Sequence, residues 1–306
     1  MSLILTLIAV PIAILLLAAL AQEWRYHRKR RDIVMDKQPL FHNAKALHVI
    51  TALKLGPDQA LLPGVRAFVD GLEAAGALVV YAGKSVITGT QSSQLPAVDW
   101  DAFVVTQFAS RESWDEIAAS DAYAELQAGF GNTWSIGMQR NRVQNLLLPV
   151  ALLAMRARQI ITGEEARFPF VPSEDPKVLE ARDGVDPAQR RMFLEHVVRE
   201  NAQYSENAIV IVNFQKDGSA SQKKADAGYN HEMVSLMAEV GHGPVHVGAA
   251  VTLEGDTDFD RVVLVYYPGV KYFFDMVQSK FYTGIFGEKQ LGDNLSTPTV
   301  PILQHL

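Results

Sequence analysis

The chain of 306 residues contains no cysteine. That removes disulfides, thiolate metal sites, c-type haem attachment and cysteine nucleophiles together, and leaves the redox compartment open. Basic charge is in deficit as well: 28 Lys and Arg stand against 34 Asp and Glu, a formal net charge of −6. No global positive field is available for a polyanion, so nucleic acid is not an expected partner. Neither a P-loop nor a G-x-S-x-G elbow occurs. The glycines at 241, 243 and 248 precede a strand-like run rather than a helix, which excludes a dinucleotide fingerprint. His242 and His246 have i, i+4 spacing, but Gly243 and Pro244 forbid the regular helix that a metal pair would need, so no metal site is expected.

What the chain does have is apolar material, 48% of its residues, enough for two domains with cores. Leu3 to Ala21 carries no charge. Nineteen residues at ~1.5 Å each approach the ~30 Å hydrocarbon thickness of a bilayer. The basic cluster Arg25, Arg28, Lys29, Arg30 and Arg31 follows at once, with Trp24 and Tyr26 beside it. The expectation is a single-pass transmembrane helix over 1–22 and a basic juxtamembrane segment over 23–45. Trp24 and the five basic residues would lie at the membrane surface, with the N-terminus out and the bulk of the chain on the cytoplasmic side of the inner membrane. A cleaved signal peptide is the rival reading, since Ala19-Leu20-Ala21 resembles a processing site, but there is no positive n-region before it.

An internal repeat follows. Residues 100–123, WDAFVVTQFASRESWDEIAASDAY, align without a gap on 259–282, FDRVVLVYYPGVKYFFDMVQSKFY. Asp101, Val104, Ser120 and Tyr123 meet Asp260, Val263, Ser279 and Tyr282. The pattern agrees further than the identities do: a strand, a turn, an amphipathic helix, then Ser-x-x-Tyr. Upstream, 46–56 matches 208–218 as a strand ending in a turn, and 76–86 matches 241–251 with Gly83 opposite Gly248. LLPGVRAFVDGLEAAG and HEMVSLMAEVG place apolar residues at 3–4 spacing between these strands, as helices do. NTWSIGMQ (132–139) and LSTPTVPI (295–302) read as the last strands. Each half is therefore β-α-β-β-α-β, a ferredoxin-like split unit of the α+β class: unit 1 over 46–140 and unit 2 over 207–306.

That order of elements, the aromatic near the centre of the second helix and the Ser-x-x-Tyr after it resemble the dimeric α/β-barrel superfamily, most closely its small uncharacterised bacterial proteins. The resemblance covers about 46–140 and 207–303. It implies two units fused into one pseudo-dimeric barrel. Members include cofactor-independent monooxygenases, lactone isomerases and haem enzymes, with active sites inside each unit between helices and sheet. No motif here carries a family catalytic residue across. No cofactor is expected; haem is only what the resemblance allows, because a helical histidine placed as axial ligand is not evident.

Residues 141–206 form a linker longer than a connection needs. Leu146 to Met155 is an apolar run interrupted by Pro149, read as a helix packed on the barrel or lying on the membrane surface. DPAQRRMFLEHVVREN starts a helix at Pro187. SASQKKADAG (219–228) reads as a polar loop, and His231-Glu232 as a helix start.

On the first strand, period-two alternation puts His48, Ile50 and Ala52 on one face. If the other face packs under helices, His48 looks into the barrel, where an imidazole could act as acid or base. A lumen lined by Ile50, Tyr81, Val210, Val212 and Phe214, with Trp134 and Tyr266 nearby, is the expected ligand-binding surface. The functional expectation is a membrane-anchored, cytoplasm-facing protein binding a small apolar or aromatic molecule, or a membrane partner, through the barrel. The alternative is a cofactor-independent monooxygenase or isomerase acting on a membrane-partitioning substrate.

Overall fold

A computed structural model describes residues 9–14, 16–17, 20–21, 24, 46–140, 142–173, 187–241 and 245–306. Eight strands close into one antiparallel barrel. Unit 1 supplies β1 (Leu47–Lys54), β2 (Leu78–Ser85), β3 (Ala102–Phe108) and β4 (Asn132–Arg140). Unit 2 supplies β5 (Ile209–Lys216), β6 (Val245–Thr252), β7 (Arg261–Tyr267) and β8 (Asp293–Pro301). Within each unit the first strand lies between the third and the fourth, and β2–β8 and β4–β6 join the units. Neither unit keeps an open sheet edge, so the closure removes the liability that each four-stranded sheet would have alone.

The strands read as near-continuous apolar runs because both faces are buried. One face of β1 points into the barrel with His48, Ile50 and Ala52; Leu47, Val49 and Leu53 pack under helices. A bulge between Val79 and Tyr81 in β2 re-aims the strand. The Tyr81 hydroxyl then lies 2.7 Å from Thr299 Oγ1 inside the barrel. The interior is filled by side chains: Trp134, Phe214 and Phe259 stack with centroids 5.3 to 6.1 Å apart.

Helices cover the outside. Unit 1 has α1 (Leu61–Ala74), α2 (Arg111–Ala118) and α3 (Asp121–Ala128). The linker contributes α4 (Arg142–Thr162) and α5 (Pro187–Ala202). Unit 2 has α6 (Ala220–Val240), α7 (Val270–Val277) and α8 (Lys280–Ile285). The repeated Ser-x-x-Tyr is a helix cap. Ser120 and Ser279 each accept the amide of the Tyr three residues on at 3.2 Å, and each hydroxyl donates back to the end of the preceding helix, to Ile117 and Met276. The single helix expected in each half is therefore two, with the serine at the joint.

Three expectations are corrected here. The transmembrane anchor is not supported: among the described residues no helix is long and apolar enough to cross a membrane. α4 has the length, but it carries Arg142, Arg156 and Arg158. The membrane-anchored role, the single-pass inner-membrane placement and the bilayer as partner lose their basis with the anchor. Arg25, Arg28, Lys29, Arg30 and Arg31 lie outside the described residues; Trp24 is helical and exposed. Second, 219–228 is not a loop. Ser219 and Gln222 form a capping box that starts α6 there. Third, His231-Glu232 is mid-helix, and Glu232 pairs with Arg167 at 2.7 Å.

Candidate functional site

A cavity of about 340 Å³ opens in unit 2 between the outer face of the sheet and helices α6, α7 and α8. Its floor is Ile211, Asn213 and Gln215 of β5, Val263 and Val265 of β7, Val247 of β6 and Ser296 of β8. Met233, Met237 and Met276 form adaptable apolar walls. At ~30 Å³ per water molecule it could hold about ten waters, within the size range of small-molecule sites.

The cavity is polar at defined places. Asn213 is fixed by donating to the Ile211 and Val263 carbonyls at 3.2 and 3.1 Å and by accepting from Ser296 Oγ at 2.8 Å. Arg261 donates from Nε to Gln215 Oε1 at 2.8 Å and from Nη2 to Asp226 Oδ2 at 3.1 Å. Asn230 donates to the same Asp226 oxygen at 2.8 Å. Asp226 is buried, and desolvation raises its pKa despite the opposing pull of Arg261, Asn230 and Lys289. Lys289 Nζ sits 5.9 Å from the centre of the Tyr229 ring. Burial, followed by the neighbouring phenols, pushes Tyr229 and Tyr267 above the ordinary tyrosine value of 10.0. Both stay protonated at neutral pH, and the Tyr229 hydroxyl is hydrogen-bonded to Tyr282.

The duplicated unit provides an internal comparison. Thr51 faces Ser135 where Asn213 faces Ser296, and each pair is hydrogen-bonded. Tyr123 answers Tyr282, with Tyr123 Oη 3.4 Å from Ser135 Oγ. Burial raises the Tyr123 phenol to about 12. Leu53 and Ala102, however, stand where unit 2 has Gln215 and Arg261. In unit 1 that layer is packed by Phe68 against Phe130 and by Trp114 against Phe108 and Tyr123, all edge to face at 5.3–5.4 Å.

The residues singled out in the sequence lie elsewhere. Ile50, Tyr81, Trp134, Val210, Val212, Phe214 and Tyr266 come together in one buried cluster inside the barrel, and none of them lines the 340 Å³ cavity. His48 shares that interior. It faces Gln107 on β3 and Met138 on β4, and its pKa is lowered to about 4 by burial and then by Arg140. His246 is lowered to about 2 by burial, Arg140 and His48. Sequence reasoning missed Asp226, because 219–228 reads as a loop, and Tyr229 and Asn230, which lie between that stretch and the helix start read at His231. The Ser219-x-x-Gln222 box was the signal that places them on a helix.

Among the described residues no group of three or more His, Asp or Glu is arranged to hold a metal ion. Haem, which the family resemblance allows, needs an axial ligand. No histidine lines the cavity, and the helical His196 and His231 are exposed.

No family model matches the chain, and no curated protein matches it. Similar solved structures include a candidate monooxygenase from Lactobacillus acidophilus NCFM, 10% identical over 84% of this chain and 94% of that one, TM-score 0.40. An anthrone oxidase-like protein is 12% identical over 84% and 91%, TM-score 0.40. A chlorite dismutase variant from Candidatus Nitrospira defluvii is 10% identical over 88% and 97%, TM-score 0.42. Identities and scores this low establish neither the family nor the chemistry of this chain.

Proposed function

We propose that the unit 2 cavity binds a small, mainly apolar or aromatic molecule carrying an oxygen function at its Arg261 end. The observation that supports this most is the asymmetry between the two copies: Gln215 and Arg261 face each other at a ladder position occupied by Leu53 and Ala102 in unit 1. In unit 2 the Arg261–Asp226 pair, 3.1 Å apart, stands beside the open space. The methionines and valines would hold the body of the ligand, and Arg261 would donate to its oxygen. The test is titration of the full chain with 2-naphthol and a panel of one- and two-ring phenols, quinones and aromatic acids, followed by ligand fluorescence and native mass spectrometry. Val263→Phe, which fills the floor, should abolish binding while the chain stays folded. Failure of the wild-type chain to retain any of the panel overturns the reading.

A second reading is turnover of such a molecule by a cofactor-independent monooxygenase or isomerase. It is favoured by Asp226, a buried carboxyl with a raised pKa one hydrogen bond behind the cavity wall. Here Asp226 would act as a positioning group for Arg261. The test is oxygen uptake and product mass for the same panel without added cofactor. Turnover that is the same in Asp226→Asn as in the wild type would remove this residue from the reaction. His48, on the lumen side of the sheet, is a separate acid–base candidate. His48→Ala should abolish turnover at nearly unchanged melting temperature if it acts chemically.

A further inference from the structure

The inter-unit linker is not part of the duplicated pattern, yet it reaches the cavity. Leu148 of α4 is one of the lining residues. α4 is held very unequally along its length. In its second half Arg156 Nε donates to the Ala238 carbonyl at 2.7 Å and Gln159 Nε2 to the Ser235 carbonyl at 2.9 Å. Ala157 and Gln159 are buried there. In its first half Leu147, Val150 and Leu153 are 55%, 61% and 43% exposed, and even the inward Leu148 is only half-buried. Pro149 brings no amide hydrogen, so the helical bond to the carbonyl of residue 145 is missing at that turn. One end of the helix is bolted to α6. Over residues 147–153 the helix buries little surface beside the cavity, and Pro149 weakens its backbone ladder.

We propose that residues 147–153 of α4 are a hinged lid on the unit 2 cavity, with Leu148 as its gating side chain. The fixed end at Arg156 and Gln159 is the base of the hinge. The ligand enters when this stretch lifts, and Leu148 sets how large a molecule passes. This rests on the cavity being a ligand site, but the motion of the lid is measurable without any ligand.

Hydrogen exchange on the full chain should show the amides of residues 150–153 exchanging at least ~10-fold faster than those of 157–160, and Pro149→Ala should slow the faster group. Uniform protection along α4 overturns the lid whatever the cavity binds. With 2-naphthol as the probe, stopped-flow fluorescence should show Leu148→Ala raising both association and dissociation rates about 10-fold with less than about a threefold change in Kd. Leu148→Trp should slow both. A change confined to dissociation makes Leu148 a plain wall and overturns its gating role. If the wild-type chain does not bind 2-naphthol, the cavity reading fails for that probe, and the exchange measurement still decides the lid.

Discussion

Gln215 and Arg261 stand directly opposite each other on β5 and β7, and Arg261 Nε donates to Gln215 Oε1 at 2.8 Å. The same position of the unit 1 ladder pairs Leu53 with Ala102, both fully buried. One fold, written twice, has a sealed layer in one copy and a polar, partly open layer in the other. Duplication explains the barrel; this substitution of two facing residues explains why a cavity with polar walls belongs to unit 2.

Removing Arg261 leaves Asp226 as a buried carboxylate without its cation. Losing one partner of a buried ion pair costs about 3–5 kcal/mol. The Arg261 side chain is 32% exposed, so solvent screening holds the expected loss to about 2–3 kcal/mol. Arg261→Leu should therefore lower stability in urea by that amount, and Asp226→Asn in the same chain should recover most of it. Additivity of the two changes within about 0.5 kcal/mol would show that they do not act as a pair.

The two Ser-x-x-Tyr caps are geometrically alike and belong to different units. Each serine both accepts the tyrosine amide and donates to the end of the helix before it, so an alanine loses both bonds. Ser120→Ala and Ser279→Ala should each cost about 1–2 kcal/mol, and the double variant should show the sum. Ser279 is fully buried, so its loss should be the larger. Equal stability of wild type and double variant would remove the cap from the account.

Much of the fold is legible in the sequence because it repeats. The alignment of 100–123 on 259–282 corresponds to β3 with α2 and β7 with α7, in register to the residue. Period-two alternation correctly sends His48 and Ile50 into the barrel, because β1 must bury one face under helices. Composition misleads at both ends of the chain's polarity range. Leu3 to Ala21 is apolar enough to suggest a span, but among the described residues no helix is long and apolar enough to cross a membrane. SASQKKADAG is polar enough to suggest a loop, yet a capping box and the later Tyr229, Met233 and Leu236 draw it into α6. The cavity was not legible. It depends on side chains from four strands and four helices, among them Leu148 of the linker, and no local pattern announces that convergence.

Gly269 lies at φ +99°, and a Cβ built there would collide with the Glu206 carbonyl oxygen. It joins β7 to α7, so a shift would be transmitted to the helix that carries Met276 into the cavity wall. Gly76, at φ +85°, has nothing within 4 Å of its Cβ position. Gly76→Ala should show backbone strain alone, roughly 1 kcal/mol. Gly269→Ala adds a collision with backbone and should cost about 3 kcal/mol or more. Chemical denaturation of the two variants side by side checks the difference; equal losses would mean the Glu206 backbone gives way freely.

The barrel interior should make the protein acid-sensitive. His48 titrates near 4 and His246 near 2 in the folded chain, against 6.5 for free imidazole. Both are depressed bases, so the unfolded chain binds more protons below pH 6.5 and stability falls as pH falls. Each histidine contributes a slope of about 1.4 kcal/mol per pH unit. For His48 the loss starts near pH 6.5 and levels off near pH 4, a total of roughly 3 kcal/mol; for His246 it continues to lower pH. Urea midpoints between pH 7 and pH 4.5 should decline accordingly, and His48→Gln should lower the slope by one proton. The neighbours on facing strands are Gln107, Met138 and Arg140. None of these supplies a carboxylate to hold an imidazolium, which is why burial dominates the shift. An unchanged slope in His48→Gln would mean that the imidazole already meets water in the folded chain, and the acid–base role of His48 would then regain force over the structural one.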